Sequence, residues 1–131
     1  MLTGVSAETI RHWRRAIPYL AARPGKSARF TFTDVVGLAT VREVISTFGV
    51  RITDVSLGVN ALFQLLADAR PAVLKDTVAV ITVEGGALLP AADLYASCFS
   101  CAAVVIPIGS LIDRLRQAAL PFPPRIVRSG T

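Results

Sequence analysis

The chain has 131 residues, of which 53% are hydrophobic and 18% charged, with a formal net charge of +5. That length suits one domain or two very small ones, and the apolar share is enough for a sizeable core, which excludes disorder away from the ends. No apolar run reaches the roughly 18 residues of a membrane span. No export signal opens the chain, and two cysteines fit a reducing cytoplasm.

Thr3-Gly4-Val5-Ser6 makes a turn, and Ser6 is placed to cap a helix over residues 6–17 that ends before Pro18. This helix carries Thr9, Arg11, His12, Arg14 and Arg15, residue types that donate to phosphates and base edges. A short polar helix entered through a tight turn is how a helix-turn-helix presents its reading helix. Residues 1–34 hold six basic side chains (Arg11, Arg14, Arg15, Arg23, Lys26, Arg29) against Glu8 and Asp34, a net +4, while residues 35–70 balance. Positive charge thus gathers where polyanion binding needs it. The bland alternative is a solvated basic face with no ligand.

Pro24-Gly25 marks a loop over residues 21–27. Residues 28–32 alternate, with Phe30 and Phe32 on one face, and predict a strand that pairs with residues 19–22 to make a two-stranded wing. Thr33 is the expected cap of a helix over residues 34–47, apolar on most sides and therefore set between packed layers. Gly49 closes it, and a further helix is expected over residues 53–68.

Four pieces of this half read together as a family. They are Thr3-Gly4-Val5-Ser6; Thr9-Ile10-Arg11 with Trp13; Arg29-Phe30-Thr31-Phe32-Thr33-Asp34; and Phe48-Gly49-Val50 followed by Ile52-Thr53-Asp54-Val55. Over residues 3–68 the chain resembles the DNA-binding domain of the MerR family of winged helix-turn-helix regulators, the first piece being the most specific. The resemblance implies a dimeric transcriptional regulator with its reading helix in the major groove and its wing against the backbone. The DNA-binding set it implies is Ser6, Thr9, Arg11, His12, Trp13, Arg14 and Arg15, with Lys26, Arg29 and Phe30 from the wing. Trp13 has two readings, stacking on a nucleotide sugar or packing against the wing. The family's first helix, which buttresses the reading helix, has no counterpart here. Val5, Ile10 and Trp13 are therefore expected to lack part of their core unless another element covers them.

The second half changes character. Residues 77–83 are β-branched and nearly all apolar, which predicts a buried strand. Glu84-Gly85-Gly86 is a turn, and residues 91–97 a short helix. Residues 101–108 predict another buried strand, and Ser110 caps a last helix over residues 111–120. The expected fold is α+β: a truncated MerR-like winged helix-turn-helix (residues 1–70), a small α/β dimerisation, partner or effector module (71–124) and a loose tail (125–131).

Other chemistry is weaker. Cys98-Phe99-Ser100-Cys101 is a CxxC, but a zinc site needs two more ligands and the one histidine, His12, sits on the reading helix. A dimer could join two such pairs, yet packing among apolar neighbours is the simpler expectation. The aspartates are scattered, and Gly85-Gly86 lacks the spacing and lysine of a phosphate loop. The expectation is a cytoplasmic homodimer that binds double-stranded DNA and is not an enzyme, with no cofactor or metal. The alternative is the antitoxin half of a toxin–antitoxin pair, autoregulating through its helix-turn-helix while the apolar second half masks a protein partner. A small-molecule sensor with its effector pocket in the second half is a third possibility.

Overall fold

The computed structural model describes residues 5–22, 30–96 and 102–119. Ser6 stands in extended backbone, its Oγ accepting the Thr9 N–H at 3.2 Å, and α1 (Ala7–Ala16) follows. Glu8 in the first turn and Arg14 and Arg15 in the last complement the helix dipole. Ile17 leaves helical geometry ahead of Pro18, as proline requires of its predecessor. Pro18 then opens α2 (Pro18–Ala21), a position where a missing N–H costs nothing.

Residues 19–22, expected as one strand of a wing, are thus mostly helix. Residues 23–29, which include Lys26, Arg29 and the start of the other expected strand, lie outside the described residues. The last residue of that strand, Phe32, is helical, being the first residue of α3 (Phe32–Phe48), while Thr31 before it is extended. The cap is Thr31 and not Thr33. Thr31 Oγ1 accepts the Asp34 N–H at 3.2 Å, and Asp34 Oδ2 accepts the Thr31 N–H at 3.0 Å. This reciprocal box needs a cap three residues before the carboxylate, which draws the helix start back to Phe32. Strand pairing at Tyr19 is replaced by side-chain ties. Its N–H donates to Asn60 Oδ1 and its hydroxyl to Asp34 Oδ1, both at 2.7 Å, while its ring stacks on Phe63 at 5.1 Å.

Helix α3 buries Val36 through Val41 without a break, as its apolar periphery predicts. Gly49 closes it at φ 68, in the left-handed region that favours glycine. The next helix starts later than expected. Ile52–Asp54 is a 3₁₀ turn, and Val55 sits outside helical geometry before α4 (Ser56–Asp68). The break lets both Ile52 and Val55 turn inward.

Pro71–Asp76 is a further 3₁₀ segment leading into β1 (Thr77–Ile81), every residue of which is buried. Its partner β2 (Gly86–Pro90) was not expected as a strand. Between them Thr82 Oγ1 accepts the N–H groups of Glu84 and Gly85 at 3.2 and 3.0 Å, which folds the hairpin. The expected helix over 91–97 is a 3₁₀ segment, Ala91–Ala96. Strand β3 (Val104–Pro107) lies on the other side of β1, and all pairing is antiparallel in the order β2-β1-β3. Pro107 ends an edge strand, where a missing donor is tolerated. Helix α5 (Ile108–Ala119) begins directly after it, so Ser110 is inside the helix and does not cap it.

Among the described residues the chain is therefore a mixed α+β fold, five helices with one small antiparallel sheet. Helices α3, α4 and α5 pack together with the sheet, and α4 runs against β2. That approach is close: a Cβ at Gly58 would strike the carbonyl oxygens of Thr82 and Gly85. One apolar core extends from Val5 and Ile10 through Val36, Leu62 and Phe63 to Ile81, Ile106 and Leu115. It crosses the boundary expected near residue 70. No helix among the described residues is long and apolar enough to cross a membrane.

Candidate nucleic-acid interface

Successive residues of an α-helix turn by about 100°, so positions three and four apart share a face. On α1, Ile10 and Trp13 point inward at 7% and 4% exposure, and Ile17 at the end of the helix is fully buried. Glu8, Arg11, His12 and Arg15 fall on the opposite side, and all four are exposed. Thr9 and Arg14 lie half-buried between the two faces. The apolar stripe fixes the helix to the body and leaves one continuous polar face in solvent.

The structure thus brings together three of the expected contacts, Arg11, His12 and Arg15. Ser6 is exposed at the start of the helix, and its hydroxyl lies 2.9 Å from that of Thr9, so both are engaged in the cap. Trp13 does not belong to the set, because its ring is in the core and cannot reach a ligand on the outer face. Phe30 is half-buried and packs against the core, and the rest of the expected wing lies outside the described residues. Lys26, Arg29, Cys98 and Cys101 lie outside the described residues. No group of three or more His, Cys, Asp or Glu that could hold a metal is found among the described residues.

The inner side of α1 is covered after all. The turn Ile52–Asp54 packs against α1, and Ile52 and Val55 are buried in the same cluster as Val5, Ile10 and Trp13. Of the outcomes open for these three residues, cover by another element is the one observed, and the connection between α3 and α4 supplies it.

A group that sequence reasoning missed is the clasp under α2. Asp34 is buried, and two of its hydrogen bonds come from the Tyr19 hydroxyl and the Thr31 N–H. With Asn60 holding the Tyr19 N–H, the clasp joins α2 to the start of α3 and to α4. It sets where α1 stands, since only Ile17 separates α1 from α2. An open depression of about 380 Å³ beside it is lined by Tyr19, Thr31, Phe32, Thr33, Ala67 and Pro71. Its polar side chains are hydroxyls, with no charged group to select a ligand.

Comparison of the chain with family models, with curated proteins and with solved structures gives no match in any of the three.

Proposed function

We propose that this chain binds double-stranded DNA through the outer face of α1, as a cytoplasmic, dimeric, MerR-like transcriptional regulator. The observation that carries the reading is the opposition on α1 between a buried apolar stripe and an exposed face holding Arg11, His12 and Arg15. A firmly seated helix with exposed basic side chains is suited to a groove lined by phosphates. Arg11 and Arg15, one turn apart, supply counterion release, and Arg15 or the flanking Arg14 reads guanine. Glu8 shares the face and opposes the phosphates, so it tempers affinity. The paired substitution Arg11→Ala with Arg15→Ala is expected to abolish a mobility shift on duplex DNA while leaving the circular dichroism spectrum unchanged. Retained binding by that variant would remove the assignment.

A second reading, the antitoxin-like partner protein, is favoured by apolar side chains left in solvent. Leu57 on α4 is 64% exposed and Phe48 at the end of α3 is 53% exposed, with Leu65, Val73 and Val83 also outward. Such residues suit a protein contact when they lie together. Co-expression with neighbouring gene products followed by affinity capture checks it. A well-behaved homodimer that retains no partner counts against it.

A further inference from the structure

The chain holds one histidine, His12, and histidine is the side chain whose charge ordinarily changes near neutral pH. It stands exposed on the outer face of α1 with Glu8, Arg11 and Arg15. Its neighbours along that face are Glu8, one turn before, and Arg15, one turn after. The carboxylate draws a charged ring, and the guanidinium opposes one. Of the elements packed against α1, α2 brings the Tyr19 hydroxyl, which donates to the buried Asp34. The Ile52–Asp54 turn brings Asp54, which pairs with Arg51 at 3.7 Å. Both groups are engaged there, so the charges on the face itself come first. Arginine stays charged throughout the neutral range, so Arg11 and Arg15 attract a polyanion equally at every pH within it. Histidine behaves otherwise, because a phosphate beside an imidazole favours the form that carries the proton.

We infer that the outer face of α1 takes up one proton when it binds duplex DNA, held on the His12 ring, so that acidity tightens the complex. The inference rests on the DNA-binding reading above and adds to it a means of regulation. A proton from solvent joins the unprotonated ring nitrogen, and the imidazolium then donates from both nitrogens. The complex holds more protons than its free components. Affinity is therefore highest below the histidine range and falls as pH rises through it.

The test measures fluorescence anisotropy of the full chain on a labelled random-sequence duplex, at constant low salt, between about pH 6 and about pH 8. Wild type is expected to bind roughly tenfold more weakly at the alkaline end, the change carried by one unit of differential protonation. His12→Gln flattens that dependence. Any titration of the amino terminus or of the two cysteines persists in this variant, which isolates the ring. His12→Lys binds equally at both ends, because lysine keeps its charge across the range. If wild-type affinity is the same at both ends, the inference is overturned and the DNA-binding reading stands. A dependence undiminished in His12→Gln also overturns it, since the proton then sits elsewhere. Failure of the wild type to bind any duplex at either pH overturns both. Should His12→Gln fail to fold by circular dichroism, His12→Lys decides, and a full pH dependence retained there overturns the inference.

Discussion

Helix α1 buries two of its ten residues, whereas α3 buries eight of its seventeen, including Thr40 and the Asp34 carboxyl. The longer helix is enclosed by α4, α5 and β3, and Thr40 meets its hydrogen-bonding need within the helix by donating to the Val36 carbonyl at 2.8 Å. The shorter one is held along a single stripe. A helix held in this way separates two properties that α3 cannot: inward residues set stability, and outward residues are free to set affinity. Substitutions on the two sides of α1 should therefore fail differently.

The largest effect is expected for Trp13→Ala. Emptying a buried aromatic site removes about 3–5 kcal/mol of stability, read as a lower urea midpoint, and DNA binding falls only as the folded fraction falls. A stable Trp13→Ala protein that no longer binds duplex would return the indole to the outer face and break the comparison. Next comes Tyr19→Phe, which withdraws one donor from the buried Asp34 carboxyl and costs about 1–3 kcal/mol. Its ring still stacks on Phe63, so an unchanged midpoint would mean that the clasp does not hold α2. The smallest effect is Glu8→Gln. It leaves stability within about 0.5 kcal/mol and raises duplex affinity modestly at low salt, with the gain fading as salt rises. A loss of affinity instead would place Glu8 among the productive contacts.

The features legible in the sequence are those fixed within a few residues of chain. Ser6 ahead of a helix, Gly49 after one and the β-branched run of β1 each carry a local signal; the two caps stand where expected, and the strand starts at Thr77 but ends at Ile81, two residues short of the expected 83. Thr31-Phe32-Thr33-Asp34 offers two threonines as caps, and the geometry of the box, not the residue type, selects the first. Strand β2 reads Gly-Ala-Leu-Leu-Pro, with no β-branched residue. Its extension is imposed by pairing with β1 and by the closeness of α4, neither visible locally. The candidate site divides in the same way. The basic residues of α1 are evident from spacing and type, whereas the inward turn of Trp13 depends on which element covers the helix.

The unbroken apolar interior has one more consequence. With no seam between the amino-terminal helix and the strands, opening either exposes the other, so the two should melt as one cooperative unit. A ligand bound to α1 would thereby protect β1 against thermal unfolding through mass action alone, without touching the sheet.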